Sequence, residues 1–380
     1  MSIRNVFREI TSYSVLLKAE SEVSANKKEN RERLVFYDDL EMNIRDLSEM
    51  LRSGRIPKVY YRSFFVYDPK VRKVIFIDYR SKIVQRAIYD VLNPKICKMF
   101  IKDTYACIEG RGQLAAMQKL YSWFQEVRTS GETWYYYKFD VARFFYRIDH
   151  EILMQILEKK ISDKAAVAMI RYYVDNNMVP FGMPIDADPL TVSEDEMLFD
   201  IGIPIGGGLS HMLANMYLNE LDQFVKRVLG VKRYIRYMDD IILVDNDKER
   251  LKECGRRMDQ FIRENLHLEF NRKTALRPCW SGCEFVGYVV FPDHVILRKQ
   301  TTLHISRTFR RMMEGYRTGY LQFSEIRTTV SCYVAMMDKC DCTEYRNNLF
   351  ENFVLTHADP EEEDEPYDSG YCQEAMVVGL

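Results

Sequence analysis

The sequence predicts an α+β fold, and three observations carry that prediction. Apolar residues recur at helical spacing in several separate stretches. Short runs rich in Val, Ile, Tyr and Phe, bounded by turn residues, stand between them. The two kinds of segment are mixed without the strand–helix alternation of a parallel sheet.

The elements follow in order. Apolar positions from Leu34 to Arg52 fit one helix, stopped by Gly54 and Pro57. Residues 59–79 read as a strand pair turning at Asp68-Pro69-Lys70. Ile83, Val84, Ala87, Ile88, Val91 and Leu92 form a helical stripe that ends near Asn93-Pro94, and another (Leu114, Met117, Tyr121, Phe124) follows Gly110-Arg111-Gly112. The aromatic run from Trp134 to Asp140 reads as a buried strand ending on a carboxylate, and Asp149 as the cap of the next helix. Residues 181–200 are acidic, lack Lys and Arg and contain two prolines, which predicts an extended hairpin or loop. Gly206-Gly207-Gly208 opens a long helix carrying Leu213, Met216, Tyr217 and Leu221. Lys232–Tyr237 and Ile241–Val244 are strands joined by Met238-Asp239-Asp240, and the chain beyond about residue 295 is largely helical.

With 380 residues, the chain has room for about two to three compact units. A composition of 47% hydrophobic and 29% charged residues excludes a disordered or fibrous chain. No apolar run approaches the ~18 residues of a membrane span, and the N-terminal segment lacks the pattern of an export signal. Nine scattered cysteines fit a reduced, cytoplasmic protein. The net charge of −2 averages unlike regions, because residues 358–380 hold eight acids and no Lys or Arg. The remainder is modestly basic, which is compatible with a polyanionic partner. The tail reads as a solvated, disordered end.

Asp239 and Asp240 sit at the tip of a hairpin, and Asp140 ends a strand about a hundred residues earlier. An isolated Asp-Asp pair is ordinary turn chemistry. If the strands are neighbours, however, three carboxylates converge and raise one another's pKa unless cations are present. Oxygen-only ligands suit Mg²⁺, and two such ions clamp the attacking and leaving oxygens of a phosphoryl transfer.

Tyr237-Met238-Asp239-Asp240 resembles the YxDD motif of reverse transcriptases, and other motifs of that family follow in the right order. Lys138-Phe139-Asp140 through His150 resembles the motif with the first catalytic Asp. Gly202 to Asp222 resembles the loop and helix under the templating base pair. Asn271-Arg272-Lys273-Thr274 and Phe285-Val286-Gly287-Tyr288 resemble the segment after the hairpin and the primer grip. The resemblance covers roughly residues 35–295.

The resemblance implies a right-hand polymerase. Residues 1–130 would be an N-terminal region and fingers, 131–294 a palm with an antiparallel sheet and an acidic insertion at 175–201, and 295–357 a helical thumb. It implies an RNA-directed DNA polymerase using dNTPs and two Mg²⁺ ions, with Mn²⁺ as the alternative ion. Asp140, Asp239, Asp240 and the backbone of Val141 would hold the metals. Arg72 would meet the triphosphate, Phe145 would guard the sugar 2′ position, and Ile205, Gly206 and Gly207 would lie under the base pair. Lys273 would protonate the leaving pyrophosphate. A surface role for Arg72 or Lys273, and a helix-start turn for the glycines, stay open.

No nuclease region is recognisable after the thumb. The finger segment Asp103-Thr104-Tyr105-Ala106-Cys107 and the aliphatic Ile205 are similar to diversity-generating retroelement enzymes, while His211 departs from their usual Gln. Phage-defence reverse transcriptases are the competing resemblance. Both imply a non-coding RNA template, a DNA primer or product, an accessory subunit or oligomer, and no membrane. A catalytically idle RNA-binding scaffold is the alternative from another class.

Overall fold

A computed structural model describes residues 2–25, 31–66, 72–175, 179–184, 187, 191–204, 206–272 and 274–356, with backbone only at 62–66, 72–73 and 194. The expected acidic tail, the turn at 68–70 and part of the 175–201 segment lie outside the described residues.

The chain begins with α1 (Val6–Ile10), α2 (Tyr13–Ser24), α3 (Arg31–Tyr37) and α4 (Leu40–Arg52). The single helix expected over 34–52 is therefore two. Asp39 divides it by accepting a hydrogen bond from Met42 N at 3.4 Å, an N-cap that competes with helix continuation. The antiparallel pair β1 (Tyr61–Val66) and β2 (Arg72–Ile77) precedes α5 (Tyr79–Ile96), which Asp78 caps through Ser81 N at 3.0 Å. This helix runs through Pro94 rather than stopping there. In a last turn, proline forfeits only one intrahelical bond.

Next come α6 (Gln113–Thr129), β3 (Tyr135–Asp140), α7 (Phe144–Arg147), α8 (His150–Lys160), α9 (Lys164–Val174) and α10 (Gly208–Arg227). Asp149 caps α8 as expected, accepting from Ile152 N at 3.0 Å. The hairpin β4 (Arg233–Tyr237) and β5 (Asp240–Asp245) leads to α11 (Lys248–Leu266) and β6 (Ala275–Pro278). The last elements are β7 (Cys283–Phe285), β8 (Tyr288–Val290), β9 (Val295–Leu297), α12 (Lys299–Arg317), α13 (Phe323–Met337) and α14 (Thr343–Glu351).

Two compact units divide these elements, Met1–Gly112 with Tyr137–Leu276, and Gln113–Tyr136 with Arg277–Leu380. The first is built on a sheet of order β4-β5-β3-β6. Ile241, Ile242, Leu243 and Val244 of β5 are all buried, as a strand covered on both faces requires. Helix α10 is buried around most of its circumference, so it runs through the interior rather than along the surface. Gly182 and Gly202 meet backbone to backbone. A Cβ on Gly182 would stand 2.4 Å from the Ile201 carbonyl, and Gly202 has φ +85°, so neither position tolerates a side chain without movement.

The second unit has its own antiparallel sheet, β7-β8-β9. Val286 and Gly287 form its first turn, both left-handed (φ 42° and 89°), which matches the right-handed twist of a two-residue hairpin. Phe309 of α12 gathers Tyr333, Phe350 and Phe353 into an aromatic core. A capping box of Gln322 and Glu325 starts α13.

Candidate active site

The β4–β5 hairpin closes with Tyr237 opposite Asp240, leaving Met238 and Asp239 as the two turn residues. Met238 adopts φ 53°, unusual for a side chain with a Cβ and of the kind found where a tight turn is held by its surroundings. Because β3 lies beside β5, this turn reaches the end of β3, and Val141 N donates to the Asp239 carbonyl at 3.3 Å. On its other side Asp140 O accepts from Asn271 N at 2.7 Å. The backbone at residues 140–141 and 239 thus meets in the sheet.

The electrostatics register that meeting. Burial pushes the Asp239 carboxyl up to about 7, and the charge of Asp140 adds to the shift, followed by that of Asp240 and a side-chain hydrogen bond with Asp140. Asp240 turns to Lys138, whose Nζ lies 3.0 Å from its Oδ1. Among the described residues, no three His, Cys, Asp or Glu side chains are gathered closely enough to hold a metal ion as they stand. The donor set nevertheless fits one chemically. Two carboxylates sharing a proton in a poorly solvated corner are stabilised when a hard cation replaces that proton.

Phe145 is half-buried, while its neighbour Phe144 is in the core at 3% exposure. The Phe145 ring meets the His211 ring edge-on, with centroids 5.6 Å apart. Its carbonyl accepts from Ile203 N at 2.8 Å, which ties α7 to the segment leading into the glycine loop. Burial lowers the pKa of His211, so the ring beside Phe145 is favoured neutral. In that loop Gly206 has φ +128°, a conformation side chains avoid, and a Cβ there would contact Val74 of β2 at 3.7 Å. A Cβ on Gly207 would contact Gln85 of α5 at 3.6 Å. Arg72 opens β2 opposite Val66, but its side chain lies outside the described residues, as do Ile205 and Lys273 altogether.

Sequence reasoning missed the groups behind the turn. Arg236 is fully buried and pairs with Asp222 of α10, both contacts being 2.7 Å. His150 Nε2 lies 2.8 Å from the Gly202 carbonyl and steadies the approach to the glycine loop. In the sequence Arg236 and Asp222 stand among other polar and charged residues (Lys232 and Arg233, Asn219 and Glu220), so neither is marked out as buried.

The chain is similar to known proteins in three comparisons. It is 29% identical to the "Uncharacterized 91 kDa protein in cob intron" of Schizosaccharomyces pombe, over 39% of this chain and 16% of that protein. It is 21% identical to Protein YkfC of Escherichia coli K12, over 74% of this chain and 65% of that protein. The chain therefore spans less than two thirds of each of these relatives. A solved structure of apo telomerase from Candida tropicalis, truncated from the C-terminal domain, aligns at 11% identity with TM-score 0.46, covering 63% of this chain and 55% of that one. Residues 66–290 match the family model described as "Reverse transcriptase (RNA-dependent DNA polymerase)". That match bears out the right-hand polymerase class, with the mixed helices and antiparallel strands seen here. With well over half its length inside the matched segment, the chain belongs to the reverse transcriptase family, whose domain is that of an RNA-directed DNA polymerase.

Proposed function

We propose that this chain synthesises DNA from dNTPs on an RNA template by two-metal nucleotidyl transfer. The observation that carries this reading is the pairing of Asp140 with Asp239 at the ends of neighbouring inner strands of one sheet, with Asp240 beside them. Asp140, Asp239, Asp240 and the backbone of Val141 would hold two Mg²⁺ ions, or Mn²⁺ in their place. When bound, such ions stabilise charge on the attacking and leaving oxygens. Asp240 would exchange Lys138 for this role, and Lys138 would then be released toward the phosphates. Arg72 would pair with the triphosphate, for which a planar guanidinium is suited, and Lys273 would donate a proton to pyrophosphate. Gly206, Gly207 and Ile205 would face the base pair, and the absence of side chains on the glycines permits that approach. Residues 1–130 would serve as the N-terminal region and fingers, 131–294 as the palm and 295–357 as the thumb, with Arg307, Arg310, Arg311 and Arg317 toward a duplex backbone.

The partners on this reading are a non-coding RNA template, a DNA primer or product, and an accessory subunit or second copy, in the cytoplasm. No described helix is long and apolar enough to cross a membrane. The setting is either a diversity-generating retroelement or antiphage defence. Sequencing the nucleic acid that copurifies with the chain separates them, because template and cDNA are then read together.

Asp239→Ala with Asp240→Ala should abolish incorporation on a primed RNA while RNA binding stays measurable. Undiminished synthesis refutes the reading, and RNA binding without incorporation by the unmutated chain indicates an idle scaffold. Phe145→Ala should raise ribonucleotide incorporation relative to dNTPs at least about tenfold, by removing the ring that would oppose a 2′-hydroxyl. Competition assays with matched rNTP and dNTP pairs check this, and an unchanged ratio places the gate elsewhere.

A further inference from the structure

Arg236 is the largest fully buried side chain among the described residues, and its exposure is 0%. All five of its N–H donors have acceptors. Nε and Nη2 donate to Asp222 Oδ1 and Oδ2, both at 2.7 Å, in the planar fork a guanidinium favours. Nη2 also reaches the Asn215 carbonyl at 3.4 Å. Nη1 donates to Asn215 Oδ1 and to the Met238 carbonyl, each at 3.0 Å. Asp222 is in turn held by Tyr234 Oη at 2.6 Å and Thr104 Oγ1 at 3.0 Å, and Asn215 Nδ2 donates to the Ala106 carbonyl at 2.8 Å.

Most of this network satisfies a buried ion pair, which any such pair requires. The bond to Met238 O is different, because it leaves the network and enters the candidate active site. That carbonyl belongs to the peptide plane joining Met238 to Asp239. The next plane is held through the Asp239 carbonyl by Val141 N, one residue past Asp140. The two peptide planes flanking Asp239 are therefore each pinned, one by Arg236 and one by the end of β3. The left-handed Met238 lies between Arg236 and Asp239, in a conformation that needs such holding.

We propose that Arg236, oriented by Asp222 and Asn215, is a positioning residue that sets Asp239 against Asp140 by fixing the Met238 carbonyl. The inference rests on the nucleotidyl-transfer reading above. Lysine cannot replace it, since three donors on one nitrogen cannot span Asp222 and Met238 in a single plane.

The test uses the full chain and three variants. Met258→Ala opens a cavity at a fully buried position of α11, outside the network. Arg236→Lys keeps the charge and loses the fork. Arg236→Met with Asp222→Leu removes both buried charges together, so that neither is left unpaired. Thermal midpoint, kcat and KM for dTTP on poly(rA)·oligo(dT), and Mn²⁺ affinity by EPR without nucleotide are measured for each. Met258→Ala should lower the midpoint while kcat and Mn²⁺ affinity stay within about twofold of the unmutated chain. Both Arg236 variants should lose at least tenfold in kcat and at least fivefold in Mn²⁺ affinity, with KM for dTTP changed less than threefold. A folded Arg236 variant with unaltered kcat and Mn²⁺ affinity overturns the proposal. Failure of both Arg236 variants to fold also overturns it, because the network would then serve stability alone. If the unmutated chain incorporates no nucleotide, the polymerase reading falls, while the Mn²⁺ affinities still decide whether Arg236 positions Asp239.

Discussion

Asp239→Asn should do two opposite things: lower nucleotide incorporation by roughly 10³-fold or more and raise the thermal stability of the metal-free protein. The first effect follows from the proposed role of its carboxylate. The second follows from the site's electrostatics, because burial and the neighbouring Asp140 lift the Asp239 carboxyl from 3.8 to about 7. Between about pH 4 and 7 the folded state keeps a proton that the unfolded chain releases, so stability falls as pH rises through that window. Above pH 7 the whole penalty is present, on the order of 4 kcal/mol. Asparagine carries no charge and escapes it. Melting curves in EDTA should therefore separate mutant from parent most at pH 8 and bring them together near pH 4. A gain that is the same at both pH values would show that charge repulsion is not its source.

Asp222→Ala should be among the most destabilising single changes in the first unit. It leaves the Arg236 guanidinium at 0% exposure without its anion, and breaking a buried pair from one side costs roughly 3–5 kcal/mol. Arg236→Met with Asp222→Leu should recover most of that loss, since replacing both partners with apolar side chains removes the unpaired charge. Urea midpoints for the single and double variants check this. Equal midpoints would mean that the network's worth lies in packing rather than in charge pairing.

These two predictions mark what could be read from the sequence and what could not. The carboxylates were legible because Asp140 ends an aromatic run, the Asp239-Asp240 pair opens the apolar run Ile241 to Val244, and ordered motifs around them name a family. The hairpin was legible for the same reason, since β5 is an unbroken apolar segment bounded by polar turn residues. The Arg236–Asp222 pair was not, because its members stand 14 residues apart on different elements and Thr104 lies 118 residues before Asp222. No periodicity links such positions, and only the folded sheet brings them together. The division at Asp39 was hidden by hydrophobic spacing that suits one helix or two. Pro94 misled by its usual meaning, because a last turn accepts it.

The outer side of β4 has a further consequence. Arg236 N donates to the Asp103 carbonyl at 2.9 Å, and Tyr105 N donates to the Arg236 carbonyl at 3.0 Å. The backbone groups that Arg236 would offer to another chain at this border are thus already taken, beside the turn that carries Asp239. Strand addition by another chain is therefore opposed at Arg236, the residue two before the turn.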